Sequence, residues 1–301
     1  MEIIKLNGNK VHENTVCAIG FFDGVHLAHR KLIDKTVQIG NDLGLKKGII
    51  TFDVHPKSIL FDLDYHYLTP LDRKIELFQE FDVDYIYVIV FDKEKAQMNP
   101  NDFIDFYLKN INTLVCGFDF KFGVRGSGKV STLQEIGDFE TIVINEVTFE
   151  GYKVGSTHIR YLIKSGQIDK VKVVLGDYYT VKGEVVHGAK KGRTIGYPTA
   201  NIDTGEYLVP RRGVYATMTK VKGIWYQSMS SVGHNPTLNC RIDLSVESNI
   251  FDFDQEIYGE EIEVKFIQYL RDEIKFTSIE DLITKIDQDK VDTLKILGNI
   301  K

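Results

Sequence analysis

The segment that decides the fold is Gly20-Phe21-Phe22-Asp23-Gly24-Val25-His26-Leu27-Ala28-His29. It follows an apolar run at residues 15–20, which predicts a β-strand, and it opens a helical pattern that ends at Gly44. The glycines at both ends of Gly20-Phe21-Phe22-Asp23-Gly24 permit a tight turn and a close approach of the backbone to a ligand. The segment therefore predicts a ligand-binding turn between a strand and a helix.

His26 and His29 fall at the start of this predicted helix. Free backbone N–H groups and the positive end of the helix dipole favour anions there. Two imidazole donors one helical turn apart are suited to holding a phosphate chain and to stabilising charge that develops on it. The alternatives are a pair of metal ligands, for which no third ligand is obvious nearby, and a capped helix with two incidental histidines.

Strand-like apolar runs alternate with helical patterns over residues 1–176. Two of the helices begin with a cap, a proline and an early acid, at Thr69-Pro70-x-Asp72 and Asn99-Pro100-x-Asp102. Alternating strands and helices predict a Rossmann-like α/β domain, a parallel sheet with helices on both faces, which binds ligands beyond the carboxyl ends of its strands. The predicted strands are residues 15–20, 48–52, 84–90, 113–117 and 141–144.

The pattern changes near residue 178, after which strand candidates follow one another with little helix between them. Gly, Pro and Asn separate these strands, as in a small β-barrel or sandwich. We therefore predict two domains, residues 1–178 and 179–301. The predicted strands are residues 181–186, 214–221, 225–232, 246–253 and 262–269. A last helix is predicted from the capping pattern Ser278-x-x-Asp281 and from an apolar stripe of Leu282, Ile283, Ile286 and Leu294.

Composition excludes several classes of protein. The chain has 301 residues with 43 acidic and 37 basic side chains, and its net charge of −6 disfavours a dedicated nucleic-acid binder. No window approaches the ~20 apolar residues of a membrane span, and the N-terminus lacks the features of a signal peptide, so we expect a cytoplasmic protein without a membrane partner. Three separated cysteines without a C-x-x-C pair indicate neither a disulfide framework nor a zinc ribbon. An oligomer is compatible with the sequence, which does not specify one.

A second candidate for phosphate contact is Gly155-Ser156-Thr157-His158-Ile159-Arg160. Ser156 and Thr157 open a predicted helix with hydroxyl and backbone donors, and Arg160 adds a guanidinium one turn later. Alone this pattern is an ordinary helix cap. Beside the histidine turn it predicts the other side of a phosphate site.

A glycine-rich segment, Gly123-Val-Arg-Gly-Ser-Gly128-Lys129, resembles a phosphate-binding P-loop. That motif requires Ser or Thr at the next position to bind Mg²⁺, and this chain has Val130 there. We therefore predict a mobile glycine-rich loop here instead of a P-loop.

In the second half, a basic and glycine-rich segment at residues 183–201 leads into a strand. Thr199 and Asn201 alternate along an extended stretch, so both side chains point to one side, and their oxygens suit Mg²⁺. A basic hairpin turn is the alternative. The residues that offer backbone donors and positive charge to a triphosphate are Gly188, Lys191, Gly192 and Arg193.

Three motifs of the first half resemble the adenylyltransferase module of prokaryotic bifunctional riboflavin kinase/FAD synthetases, a member of the nucleotidyltransferase superfamily. They are the segment of residues 20–29, Gly117-Phe118-Asp119-Phe120-Lys121-Phe122-Gly123, and Ser156-Thr157-x-Ile159-Arg160. The resemblance implies that His26 and His29 contact ATP phosphates. It also implies that the turn of Gly20, Phe21, Asp23 and Gly24 binds ATP. Ser156, Thr157 and Arg160 are then expected to close over the ATP phosphates. The flavin is expected near Asp119 and Phe120.

The second half resembles riboflavin kinases through Pro198-Thr199-Ala200-Asn201, and the likeness continues over most of residues 180–290. Further matching motifs are Arg212-Gly213-Val214-Tyr215, Val232-Gly233-His234-Asn235-Pro236-Thr237, Val246-Glu247 and Leu270-Arg271-x-Glu273. The resemblance implies that Glu247 is the general base for the riboflavin 5′-hydroxyl. It also implies that Thr199 and Asn201 hold Mg-ATP and that Arg271 contacts the flavin.

Three positions depart from the pattern of this family. The family usually has Gly at the position of Ala28 and Pro at that of Val54, and bacterial relatives often have His at that of Asn249. A methyl group at residue 28 crowds the closest approach of a phosphate. Asn249 is expected on the same face of its strand as Glu247.

The resemblance implies an enzyme that uses ATP and Mg²⁺ to convert riboflavin into FMN and FMN into FAD. Alternatives are an enzyme with one active module, a non-catalytic flavin or nucleotide sensor, and an adenylyltransferase for another phosphorylated metabolite. Loss of Glu247 or Asn201 is the sequence sign of a sensor, and both residues are present.

Overall fold

Six parallel strands form the sheet of the first half. The computed structural model describes residues 1–188, 191–234 and 244–299, and it contains two compact units, Met1–Ser156 and Thr157–Lys301. The parallel sheet confirms the α/β prediction; the domain boundary near residue 178 stays a prediction. The strands are β1 (Glu2–Leu6), β2 (Thr15–Ile19), β3 (Lys46–Phe52), β4 (Tyr85–Ile89), β5 (Ile111–Gly117) and β8 (Glu140–Ile144). Their order across the sheet is β1-β4-β3-β2-β5-β8. The edge strand β1 was not among the predicted strands.

Helices cover both faces of this sheet, and alternate residues of β2 enter different cores. Cys17 and Ile19 pack into one cluster, whereas Val16 and Ala18 pack into the other. All five residues of β2 are buried, as expected for a central parallel strand. The helices are α1 (Leu27–Leu43), α2 (Pro56–Phe61), α3 (Leu71–Phe78), α4 (Pro100–Phe103), which continues as a π-helical turn (Ile104–Leu108), and α5 (Val130–Ile136).

The predicted end of α1 and the predicted start of α4 are confirmed, whereas the predicted cap residue of α3 is wrong. Gly44, with φ of 67°, ends α1, and Asn99 caps α4 by accepting from the Asp102 N–H at 3.0 Å. At α3, however, Pro70 occupies the cap position and makes no side-chain cap. The Thr69 hydroxyl is used elsewhere, because it accepts a hydrogen bond from the Gly24 N–H.

Two short antiparallel hairpins accompany the sheet. Lys121–Phe122 (β6) pairs with Gly128–Lys129 (β7), and Thr148–Phe149 (β9) pairs with Tyr152–Lys153 (β10). The glycine-rich segment predicted as a mobile loop thus forms the end of the β6–β7 hairpin, with a 3₁₀ turn at Val124–Gly126.

The order of the strands indicates where a ligand is expected to bind. The chain runs from β2 to β3 on one side of β2, whereas β5 lies on its other side. Parallel α/β sheets bind ligands at the carboxyl ends of the strands where the order reverses in this way. The residues that follow β2 and β5 therefore lie at the expected site.

The second unit contains a closed antiparallel barrel of six strands. Of the two predicted alternatives, barrel and sandwich, the structure shows the barrel. Its strands are β11 (Thr180–Val186), β12 (Ala200–Asp203), β13 (Gly213–Val221), β14 (Ile224–His234), β15 (Leu244–Ile250) and β16 (Glu261–Arg271). Their order around the barrel is β11-β12-β15-β14-β13-β16. The helices are α6 (Ser156–Ser165), which starts at the last residue of the first unit, α7 (Ile168–Leu175), α8 (Lys191–Thr194) and α9 (Ile279–Gly298).

Helix α9 packs against the outside of the barrel. Ser278 caps it by accepting from the Asp281 N–H at 3.1 Å, as predicted. The predicted apolar stripe is wrong at Leu294, which is 40% exposed. The buried face instead includes Asp289, Thr293 and Leu297, because a charged pair described below fills part of this interface.

Candidate active sites

The backbone that follows β2 is strained. We call residues 20–25 the phosphate turn. Phe22, Gly24 and Val25 have φ values of 59°, 92° and 41°, and both non-glycine residues are fully buried. A positive φ is costly for a bulky or β-branched residue, so neighbouring groups must hold this turn in place.

Several side chains provide that support. The Gly24 N–H donates to the Thr69 hydroxyl at 2.7 Å, and Asp23 Oδ1 accepts from the N–H groups of Leu68 and Thr69 at 2.8 and 3.1 Å. The Ser156 hydroxyl donates to the Asp23 carbonyl at 2.8 Å. Asp23 therefore supports the turn, and Ser156 lies beside it.

His26 and His29 stand at the N-terminus of α1. His26 is the cap residue, and its Nδ1 accepts from the His29 N–H at 3.4 Å, which leaves the ring proton of the neutral imidazole on Nε2. The two rings are stacked, with centroids 3.6 Å apart. The first turn of α1 carries no acidic residue, so this helix end is open to an anion.

Burial keeps both imidazoles neutral. It lowers the pKa of His26 to about 4. Among the smaller effects, the charge of Lys153 lowers this pKa and the charge of Asp119 raises it. Burial, followed by the charges of His26 and Lys74, lowers the pKa of His29 well below its ordinary value. Near pH 7 both imidazoles are therefore uncharged hydrogen-bond donors.

Asp119 and Phe120 follow β5 at the same edge of the sheet. The Asp119 carboxylate forms an ion pair with Lys153, whose ammonium also lies 4.6 Å from the centre of the Phe118 ring. Phe120 packs beside Phe122 with ring centroids 5.7 Å apart. Because Asp119 and Lys153 both act on the pKa of His26, this predicted flavin region is near the histidine pair.

An aromatic group that the sequence motifs did not predict lies near the phosphate turn. His55 stacks on Tyr65 at 4.1 Å and meets the Phe21 ring edge-on at 4.6 Å, and Tyr67 lies 5.0 Å from Tyr65. The sequence feature that could have predicted this group is the high density of aromatic residues at Phe61-Asp-Leu-Asp-Tyr65-His66-Tyr67.

In the second unit, the strand register brings three predicted residues to one face of the barrel. Asn201 on β12 and Ser231 on β14 are both register partners of Glu247 on β15. The Thr199 hydroxyl donates to Glu247 Oε2 at 3.2 Å. Thr199, Asn201 and Glu247 therefore form one polar cluster, which we call the barrel cluster.

Gly188 lies against this cluster. A Cβ at this position would lie 2.3 to 2.4 Å from the side-chain atoms of Asn201, so only glycine fits without displacing that amide. Gly192 is similarly close to the Tyr197 carbonyl, and Arg193 is exposed.

Known proteins resemble the chain along its whole length. The FAD synthetase family matches residues 8–158, and the riboflavin kinase family matches residues 175–297. Bifunctional riboflavin kinase/FMN adenylyltransferases of Listeria monocytogenes and Bacillus subtilis are 42% and 36% identical to it, over 96% and 95% of this chain and 94% of each relative. The chain belongs to this family.

Among solved structures, a Streptococcus pneumoniae protein called a macrolide-efflux protein is similar over 99% of both chains, with a TM-score of 0.88 and 30% identity. In the described part of this chain, no helix has the length and apolar character needed to cross a membrane. The family and the fold thus assign residues 8–158 to an FAD synthetase module and residues 175–297 to a riboflavin kinase module.

In the riboflavin kinase module, two residues have structural partners. Asn249 donates from Nδ2 to the Pro198 carbonyl at 2.7 Å, so this departure from the family pattern anchors the residue before Thr199. Asn249 lies two residues after Glu247 on β15, on the predicted face. Arg271, predicted to contact flavin, forms a buried pair with Asp289 of α9 at 2.6 Å.

The roles of all the predicted site residues stay predictions, including those of residues not yet placed above. Thr157 and Arg160 lie in the first turns of α6, in the second unit. Lys191 begins α8, and its side chain lies outside the described residues. The motif residues Asn235, Pro236 and Thr237 and the third cysteine, Cys240, also lie outside them. Cys17 and Cys116 are buried free thiols.

Proposed function

We propose that the riboflavin kinase module transfers the γ-phosphoryl group of ATP to the 5′-hydroxyl of riboflavin, with Glu247 as the general base. The barrel cluster carries this proposal. Glu247 is held by the Thr199 hydroxyl at 3.2 Å, so its carboxylate is oriented before substrate arrives. The carboxylate takes the hydroxyl proton as the oxygen attacks the γ-phosphorus, and ADP leaves.

The barrel cluster also suits Mg²⁺ in its chemistry. The Thr199 hydroxyl and the Asn201 amide offer neutral oxygen atoms, and Mg²⁺ bound with a nucleotide takes most other ligands from phosphate and water. Among the described residues, no group of three or more His, Cys, Asp and Glu side chains is placed to hold a metal. Thr199 and Asn201 would therefore hold the ion together with ATP, and the ion would neutralise phosphate charge.

We further propose that the FAD synthetase module joins FMN to the adenylyl group of ATP. The FMN phosphate is already an anionic nucleophile, so its attack on the α-phosphate needs no base, and pyrophosphate leaves. The stacked neutral imidazoles at the N-terminus of α1 carry this proposal. His26 and His29 orient the phosphate chain and stabilise its developing charge, with Ser156, Thr157 and Arg160 as additional contacts.

Asp119 and Phe120 are proposed to lie beside the flavin of FMN in this module, and Arg271 beside riboflavin in the kinase module. Gly188, Gly192, Arg193 and Lys191 are proposed to surround the triphosphate of the kinase substrate. A cytoplasmic location and the absence of a nucleic-acid partner stay predictions from the sequence.

The test is a time course with purified protein, riboflavin, ATP and Mg²⁺, in which riboflavin, FMN and FAD are separated by chromatography. The expected result is FMN that rises and then gives way to FAD. FMN without FAD, even when FMN is supplied directly, would leave only the kinase module active. No conversion of riboflavin or FMN would contradict both assignments and favour a sensor.

A further inference from the structure

Lys74 is buried under the phosphate turn, and neither proposed reaction uses it. Its side chain is almost completely buried, although it belongs to a residue type that is rarely found inside a protein. The ammonium donates to the carbonyls of Phe21 and Phe52 at 3.0 and 3.2 Å and to the Thr51 hydroxyl at 3.3 Å. It also lies 4.0 Å from the centre of the Phe21 ring.

These contacts hold both the backbone carbonyl and the ring of Phe21 in place. Its carbonyl accepts from Lys74 and also from the Thr51 hydroxyl at 3.1 Å, while its ring covers the ammonium. Phe21 immediately precedes the first strained residue, Phe22, whose φ is 59°. Hydrogen bonds to a charged donor are stronger than those between neutral groups. When protonated, Lys74 is therefore a stronger donor to the Phe21 carbonyl than the Thr51 hydroxyl.

The charged and titratable groups facing Lys74 come from three elements. Asp23 of the turn and Asp53, directly after β3, favour the ammonium, whereas burial disfavours it more strongly and lowers the pKa of Lys74 to about 7. The third group is His29 of α1, because the charge of the Lys74 ammonium contributes to the lowered pKa of its imidazole. An ammonium can satisfy all three acceptors, but a neutral amine has only two protons to donate.

We propose that Lys74 is a positioning residue for adenylyl transfer: its ammonium holds the phosphate turn in the strained shape that presents His26 and His29 to the substrate phosphates. This inference rests on the proposed function of the FAD synthetase module. Lys74 itself acts through the carbonyls of Phe21 and Phe52 and does not contact the reacting atoms. Small displacements of orienting groups lower the rate of such reactions by large factors, because the reacting atoms must be aligned.

The main variant is Lys74→Met, which keeps the length of the side chain and removes its charge and donors. Lys109→Met is the matched control, because Lys109 is exposed and precedes β5, at the opposite end of that strand from the site. We expect Lys74→Met to lower the kcat of FAD formation from FMN about 10- to 100-fold. The control variant and riboflavin phosphorylation by both variants should keep wild-type rates.

Two further measurements separate positioning from general stability. Hydrogen exchange of the amides at residues 21–25 should accelerate in Lys74→Met, while amides in β2 and β3 keep their protection. In the wild type, kcat/KM for FAD formation should fall as the pH rises above about 7, because the ammonium is lost. Lys74→Met should lack this alkaline decrease.

An unchanged kcat in Lys74→Met, or increased exchange throughout the sheet, would overturn the positioning role. If that variant does not fold, the wild-type pH profile decides, and a constant kcat/KM from pH 6 to 8.5 overturns the proposal. A wild-type enzyme that forms no FAD would instead contradict the proposed function. The two failures are therefore distinguishable.

Discussion

The imidazole rings of His26 and His29 lie face to face, with centroids 3.6 Å apart and planes inclined by 17°. Two imidazolium ions at this distance would repel each other, and burial prevents either ring from gaining a proton near neutral pH. The pair is therefore a preorganised set of neutral donors at the end of a helix. In the proposed reaction, neutral donors and the helix dipole together would stabilise phosphate charge without first requiring a counterion.

We predict that His29→Ala lowers FAD formation while FMN formation persists. Loss of one donor to a developing phosphate charge should reduce kcat about 100- to 1000-fold. The assay compares FAD formed from FMN with FMN formed from riboflavin in the same preparation. An equal decrease of both rates would contradict two separate active sites.

The histidine pair also predicts a pH dependence of stability. In the unfolded chain His26 titrates near pH 6.5, whereas in the folded chain its pKa is about 4. Between these values the unfolded chain binds the proton and the folded chain does not, so the free energy of unfolding decreases as the pH is lowered. The loss contributed by His26 should reach on the order of 3 kcal/mol at pH 4.

Urea unfolding at several pH values, followed by near-UV circular dichroism, measures this effect. His26→Asn removes the titrating group and should flatten the decrease between pH 6.5 and 4, leaving the part due to His29. A variant with the same slope as the wild type would show that His26 is not buried as a neutral ring.

In the riboflavin kinase module, Glu247→Gln should keep ATP binding and lose most FMN formation. The amide is similar in shape to the carboxylate and cannot take the proton of the riboflavin hydroxyl. General-base catalysis contributes about 100- to 10,000-fold, and the turnover should fall within that range. Glu280→Gln, at an exposed position of α9, is the control. Unchanged turnover in Glu247→Gln would contradict the assignment of the base.

Gly188→Ala tests the packing around Asn201. The added methyl group would lie 2.3 to 2.4 Å from the Asn201 amide, so this amide must move away from the barrel cluster. We expect an increased KM for ATP and a kcat reduced about 10-fold or more, because the side chain proposed to hold Mg-ATP is displaced. Gly298→Ala, where no atom lies within 4 Å of the added carbon, should retain wild-type kinetics. Wild-type kinetics in Gly188→Ala would indicate that Asn201 adjusts without functional cost.

The buried pair of Arg271 and Asp289 predicts a large effect on stability. Asp289 is 2% exposed and also lies 3.2 Å from the Lys285 ammonium. Asp289→Asn leaves the Arg271 guanidinium without its countercharge and should lower the free energy of unfolding by about 3–5 kcal/mol. Asp292→Asn, which affects an exposed hydrogen bond to Gln288, should change it by less than about 0.5 kcal/mol. Equal effects in the two variants would contradict a stabilising role for the ion pair between Arg271 and Asp289.

Local sequence patterns were sufficient to predict the two kinds of domain and the principal motifs. Local rules suffice for α1, because Gly44 adopts the left-handed conformation that ends it, and for α9, because Ser278 caps it. Buried parallel strands such as β2 were readable as continuous apolar runs. The strand alternation also placed Thr199 and Asn201 on one side, and the barrel register then brought Glu247 to them.

Which polar side chains stabilise the fold depends on contacts between distant parts of the chain. The Thr69 hydroxyl accepts from Gly24, and Asp289 turns a predicted apolar stripe into an interface with a buried charge. Lys74 lies on the buried side of α3, between Leu71 and Phe78, as the helical spacing of these residues indicates. Its three hydrogen-bond acceptors, however, come from distant parts of the chain. Such partners depend on contacts between residues far apart in sequence. Local pattern and propensity do not encode these contacts, and chain folding creates them.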